Sequence, residues 1–441
     1  MSKRKNSVSV SALLLGSLLA VVAEAASSAS PLPLAKPESV GMSSARLASM
    51  GEFFRMEVER ASASGYVMMV ARHGKLVYSG AVGMRDRENK LPMTLDTRFR
   101  IFSMTKPITA VAVLMLYEQG RFQLDDPVST FLPAFADARV YTGVDAAGNI
   151  LTEPLKKPIT IRHLLTHTSG LGYGPGYDRT SALAKAWAGL NLAGNEPTAE
   201  KIRKLAATPL YSQPGAEWRY SYANDVLGYL VEVVSGMPFD QVLNARLFEP
   251  LGMTHTGFFI PEAEVQWLAA IYRHTADGGL ERGDGGARNV PTKPPQFASG
   301  GAGLISTAGD YLRFAQMLAN KGSLEGRQYL SPVTVELMTS NQVGDALAKY
   351  YGTSPDGEIW RGLGYGLGVS PIIDYRSAPE ANRDGDYTWP GALDTNWMVS
   401  PSTGIVALVL AQNIRGPDGK TPRTYRDMHT QVYQAVADLD R

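Results

Sequence analysis

Apolar positions along the chain change period several times, and each change marks an element. From Ser44 to about Ala61, Leu47, Met50, Phe53, Phe54 and Val58 recur every three or four residues, which predicts an amphipathic helix. Gly65 to Gly83 then holds two strand-like runs, Tyr66 to Ala71 and Leu76 to Val82, around a turn at His73-Gly74-Lys75, and predicts a hairpin. Ile108 to Tyr117 is nearly all apolar and stops at Gly120, the pattern of a helix buried on most sides. From Asp125 to Arg282, helical patches such as Ile161 to Leu165 and Val226 to Val234 alternate with Gly and Pro loops, and strand signals are few. Strand patterning returns at Gly300 to Ile305, Gly364 to Val369, Thr395 to Val399 and Ile405 to Leu410. A final helix is predicted over Tyr425 to Leu439.

This order predicts an α+β fold: an antiparallel sheet made from both chain ends, flanked by terminal helices, with a mainly helical domain inserted. Residues 38–102 and 285–441 are expected to form the α/β part, and 103–284 the helical part, of one domain spanning 38–441. Ahead of it, Lys3, Arg4 and Lys5 precede an apolar run from Val8 to Val22 that ends in Ala23-Glu24-Ala25. Residues 1–25 are therefore expected to be a signal peptide and the Ser, Ala and Pro-rich residues 26–37 a linker. Export to the periplasm or beyond follows, with no stable membrane association after cleavage; an uncleaved anchor is the other reading of the same run.

Composition removes several function classes. The chain of 441 residues carries 43 Lys+Arg against 42 Asp+Glu, so nothing in its charge calls for nucleic acid or anionic lipid as a partner. Zero cysteines exclude disulfides, Cys-ligated clusters and thiolate chemistry. Of the six histidines only His163 and His167 share a helical i, i+4 spacing, and they lack the Glu of His-Glu-x-x-His. No metal and no cofactor is expected. There is no Gly-x-Ser-x-Gly elbow and no Walker motif, and Gly362 to Gly368 lacks the following helix of a dinucleotide fingerprint.

Three junctions carry the candidate chemistry. At Phe102-Ser103-Met104-Thr105-Lys106-Pro107 a short strand-like run ends and the buried helix begins, which puts Ser103 at a helix N-terminus and Lys106 one turn further on the same face. A serine hydroxyl is a weak nucleophile that needs a base, and the helix end offers backbone N–H groups and a positive dipole to a developing oxyanion. Taken alone, Ser103 reads equally well as a helix cap. Lys106 is the more telling residue, because a lysine in the first turn of an apolar helix opposes the dipole and is costly to bury unpaired.

The second junction, Pro214 to Asp225, clusters tyrosines ahead of the helix at Val226. A phenol must lose roughly 4 kcal/mol to ionise at neutral pH. A lysine ammonium about 4 Å away, at an effective dielectric of about 20, supplies an attraction of that scale. A lone tyrosine more often just packs its ring. The third junction is Tyr387-Thr388-Trp389-Pro390-Gly391-Ala392-Leu393, an ordinary turn by itself. There Gly391 permits close backbone approach to a ligand, which makes the amide of Ala392 a second oxyanion donor.

In this order the three elements resemble the serine β-lactamase and penicillin-binding-protein superfamily, and most closely the class C β-lactamase-like family VIII carboxylesterases. Linking phrases share the likeness: Lys36 to Gly41, Leu164 to Gly170, Leu247 to Met253 and Gly300 to Leu304. The resemblance implies a β-lactamase/transpeptidase-like fold, Ser103 as acylated nucleophile, Lys106 as its partner and Tyr220 as the second-motif tyrosine. It also implies that Trp389 and Gly391 form the Trp-x-Gly these esterases carry where relatives have Lys-Thr-Gly. The second motif reads Tyr220-Ser221-Tyr222 where many relatives end in Asn, so the missing amide is supplied by Asn224 or not at all. Tyr222 competes with Tyr220, because Tyr222-Ala223-Asn224 is a literal Tyr-x-Asn. The expected activity is hydrolysis of short-chain carboxylic esters, a small-molecule substrate. A β-lactamase or D-amino-acid peptidase, and a non-catalytic ligand-binding protein on the same fold, are the alternatives.

Overall fold

The structure is a computed structural model that describes residues 31–173, 181–190, 196–283, 292–352, 360–414 and 424–440. The predicted signal 1–25, the linker up to residue 30 and the boundary at 284 and 285 lie outside those residues.

A seven-stranded antiparallel sheet organises the fold, in the order Ser370–Pro371, Tyr387–Thr388, Thr395–Ser400, Ile405–Leu410, Gly65–Arg72, Lys75–Asp86, Leu91–Pro92. Strands from the two chain ends meet at its centre, where Met68 pairs with Val409 and Met69 with Leu408. The hairpin turn needs two left-handed residues, and His73 and Gly74 supply them with φ of 53° and 76°.

Gly65–Arg72 and Ile405–Leu410 are buried along their whole length. They read as continuous apolar runs because both faces of the sheet are covered. Side chains alternate between the faces with period two. Met68, Val70, Ala407 and Val409 pack on the terminal helices Ser44–Glu59 and Thr424–Tyr433 through Leu47, Phe54, Met428 and Val432. Met69, Leu408, Leu410 and Trp397 face the other way, onto helix Ala308–Ala319 and the larger core beyond it. Each such side chain contributes about 1.5–3 kcal/mol on full burial.

The helical part centres on two helices, Thr105–Glu118 and Ala223–Ser235, packed against each other. The first stops at Glu118, two residues before the left-handed Gly120. Four expectations need correction. The region 125–282 contains two hairpins, Arg139–Val144 with Ile150–Pro154 and Tyr272–His274 with Leu280–Arg282. Residues 300–304 are not strand; only Ile305–Thr307 is, paired with Arg98–Arg100. Residues 364–369 form a buried loop whose Gly366 presses on the Met338 carbonyl, where a Cβ would sit 2.1 Å away. The last helix ends at Tyr433, six residues short of Leu439.

Candidate active site

Ser103 lies in a single 3-10 turn, Phe102–Met104, between strand Arg98–Arg100 and the helix that starts at Thr105. Phe102 enters this turn with φ of 45°, a left-handed conformation that a bulky side chain adopts only under constraint. The constraint is visible: Ile101 N–H donates to the Leu304 carbonyl at 3.0 Å, and the Ile101 carbonyl accepts from Met104 N–H at 3.0 Å. The helix cap position falls to Met104, with no side-chain cap. Ser103 therefore spends its hydroxyl elsewhere.

Two donors converge on that hydroxyl. Lys106 Nζ lies 3.2 Å from Ser103 Oγ and donates also to the Gly301 carbonyl at 2.7 Å. Tyr220 Oη donates to Ser103 Oγ at 2.7 Å. Lys106 is fully buried, with Nζ 4.6 Å from the centroid of the Tyr220 ring and 5.7 Å from that of Tyr173. Trp389 Nε1–H in turn donates to the Tyr220 oxygen at 3.3 Å.

Backbone pairing between two loops brings Tyr220 across the molecule. Gly215 N–H donates to the Thr168 carbonyl at 2.7 Å, Arg219 N–H to His167 at 2.8 Å and Tyr222 N–H to Gly172 at 3.1 Å. The phrase Leu164 to Gly170 is thus the rail on which the tyrosine loop runs. His167 anchors it from below: its Nδ1 is 2.9 Å from Ser221 Oγ, and its Nε2 accepts from Asn224 Nδ2 at 3.2 Å. With Asn224 in that orientation the ring proton sits on Nδ1 and goes to Ser221. Burial, reinforced by the Lys106 charge, holds the His167 pKa well below its ordinary value, so the imidazole is neutral.

The remaining predicted residues separate into those at the hydroxyl and those behind it. Tyr222 does not reach Ser103; its ring stacks on Tyr173 at 4.5 Å, and burial pushes its pKa up to about 12. The Asn224 amide goes to His167 and not to Lys106. Trp389 is 2% exposed and sits within an aromatic cluster with Trp218, Trp360 and Tyr365. Gly391 is required by packing: a Cβ there would lie 2.1 Å from Thr395 Oγ1 and 2.4 Å from the Ile101 carbonyl. Its amide is committed to the Thr395 carbonyl at 2.8 Å, and Ala392 stands exposed beside it. Among the described residues no group of His, Cys, Asp or Glu is placed to hold a metal ion, and no single helix is long and apolar enough to cross a membrane.

Sequence reasoning missed His167, Tyr173 and Asp225. Asp225 is buried at the start of the Tyr220-side helix, and its Oδ1 accepts from Ser299 Oγ at 2.5 Å and from Gly301 N–H at 3.2 Å. An acid in the first turn of a helix suits the dipole and is common there, so the sequence carries no comparable signal for Asp225.

The chain matches the Beta-lactamase family over residues 52–430. It is 35% identical over 387 residues to Esterase EstB of Burkholderia gladioli, covering 82% of this chain and 90% of that protein. Among solved structures it is similar to EstCE1, a hydrolase with promiscuous acyltransferase activity, with TM-score 0.72 and 30% identity over 88% of this chain and 99% of that one. It is similar also to simvastatin synthase (LovD) from Aspergillus terreus, with TM-score 0.75 and 28% identity over 88% and 98% of the two chains. The chain belongs to the beta-lactamase family: it is a serine hydrolase-type enzyme on the β-lactamase/transpeptidase-like fold.

Proposed function

We propose that this protein is an exported serine carboxylesterase that cleaves short-chain esters through an acyl-enzyme on Ser103. The observation that carries the reading is the convergence of Tyr220 Oη and Lys106 Nζ on one serine oxygen, at 2.7 and 3.2 Å. The mechanism uses Tyr220 as a phenolate base, with the Lys106 amine against its ring and the Trp389 indole N–H on its oxygen. Ser103 Oγ attacks the ester carbonyl as its proton passes to Tyr220. The carbonyl oxygen becomes an oxyanion held by the amides of Ser103 and Ala392. Tyr220 then gives the proton to the departing alkoxide, the C–O bond breaks and the alcohol leaves. Water repeats the sequence on the acyl-enzyme: its proton goes to Tyr220, then to Ser103 Oγ as the acid departs.

Esters are favoured over penicillins and peptide termini because Trp389 stands where a carboxylate would need a cation. The esterase relative supports the same substrate class. Transfer of the acyl group to an alcohol other than water is a second reading, supported by the promiscuous acyltransferase activity of EstCE1. The test is a burst of alcohol from a chromogenic short-chain ester, stoichiometric with enzyme and absent in Ser103→Ala. Because Ser103 does not cap its helix, that variant should keep its fold and melting temperature. Turnover above about one part in a hundred of the wild type would remove Ser103 from the mechanism.

A further inference from the structure

The mechanism above asks Lys106 to stay cationic while fully buried, and a buried cation needs a compensating charge. Resting on that reading, we propose that Asp225 is the positioning residue for Lys106: it fixes the Gly301 carbonyl on the ammonium and supplies the buried negative charge beside it. The geometry runs through one peptide. Gly301 N–H donates to Asp225 Oδ1 at 3.2 Å while the Gly301 carbonyl accepts from Lys106 Nζ at 2.7 Å. Ser299 Oγ adds a second bond to the same carboxylate oxygen at 2.5 Å.

The contact leaves no room for slack. A Cβ on Gly301 would lie 2.7 Å from Asp225 Oδ2, and one on Gly300 would lie 2.3 Å from the Asn224 carbonyl. The Gly300–Gly301 turn is therefore pressed onto the first turn of the helix, and Asp225 sets its orientation. Lys201 is 2% exposed, its Nζ lies 4.3 Å from the centroid of the Phe297 ring, and it interacts electrostatically with Glu196 and, less, with Asp225. Glu196 is itself bonded to Lys204 at 2.7 Å, nearer the surface. Tyr173 and Tyr222 also face Asp225, and burial pushes both phenols upward, so they bring no competing negative charge at neutral pH. Burial raises the Asp225 pKa, and Lys106 and Lys201 both oppose that rise.

Asp225→Asn tests the charge with the shape kept, since an amide oxygen still accepts from Gly301 and Ser299. It should lower kcat for a short-chain ester by about tenfold or more with KM within about twofold, because the substrate never touches Asp225. It should also lower the melting temperature, and adding Lys106→Met should restore much of that loss by removing the cation that Asp225 compensates. Wild-type kcat in Asp225→Asn, a matched rise in KM, or additive melting losses in the double variant would each overturn the proposal. If Asp225→Asn alone does not fold, the double variant decides: folding restored supports the pairing with Lys106, and no folding overturns it. The melting cycle needs no turnover, so failure of the ester reading, seen as no Ser103-dependent hydrolysis in the wild type, stays distinguishable from failure of this one.

Discussion

The indole of Trp389 donates its Nε1–H to the phenol oxygen of Tyr220 at 3.3 Å, and that oxygen is the one bonded to Ser103. Trp389 thus touches the oxygen that the proposed mechanism uses as its base. A hydrogen bond to an ionised acceptor is worth about 1.5–3 kcal/mol, so Trp389→Phe should lower kcat about ten- to a hundredfold. The phenyl ring still fills space against Tyr365 and Trp360, and the melting temperature should fall only slightly. Unchanged kcat would mean that the indole serves packing alone.

Two tyrosines compete for the second motif, and the geometry separates them. Tyr220→Phe deletes the hydroxyl on Ser103 and should slow acylation and deacylation by about a hundredfold or more, the scale of general acid–base catalysis. Tyr222→Phe keeps the ring stacked on Tyr173 and should cost far less. Single-turnover rates of both variants check the assignment; a large loss confined to Tyr222→Phe would reverse it.

What could be read from sequence was local. The turn at His73-Gly74, the buried helix after Ser103 and the runs at 395–399 and 405–410 are set by neighbouring residues, and they stand where their pattern placed them. Ser103 and Lys106 are three apart on one turn, so their meeting is a matter of helix geometry. The hairpin Arg139–Val144 and Ile150–Pro154 escaped because it is short, partly exposed and carries a bulge between Tyr141 and Gly143. The run 364–369 looked like strand because it is apolar and buried, yet its glycines serve close backbone contacts, as at Gly366. The supports of the site come from contacts far apart in sequence: His167 with Asn224 across 57 positions, and Asp225 with Gly301 across 76. No period or spacing encodes those.

Gly391→Ala should damage both stability and activity. The added methyl has no free direction, meeting Thr395 Oγ1 at 2.1 Å and the Ile101 carbonyl at 2.4 Å. Overpacking of this kind costs about 1–3 kcal/mol. The Ile101 carbonyl also holds the turn that presents Ser103, through Met104 N–H, so displacement reaches the nucleophile. A thermal melt and a turnover measurement on the same preparation check this. Wild-type values in both would show that the loop yields without moving Ser103.

Far from the site, the pH dependence of stability should be governed in part by Glu380. The residue is 8% exposed, its carboxylate oxygens have no hydrogen-bond partner among the described residues, and Arg426 Nε lies 3.6 Å away. Burial outweighs that cation and pushes the pKa from 4.5 up to about 7. An acid raised on folding stabilises the native state fully below its ordinary value of 4.5, and the contribution is lost as pH rises through about 7. Asp386, raised by burial to about 6, acts in the same direction. His429, lowered by burial to about 4, acts oppositely: its contribution is present above 6.5 and is lost as pH falls through about 4. Glu380→Gln removes one component only. The melting temperature of the variant should therefore fall less than that of the wild type between pH 5 and pH 8, and the two curves should converge or cross near the upper end. If the ion pair with Arg426 dominated instead, the variant would lose most at pH 8, where both partners are charged, and the difference between the curves would widen with pH rather than close.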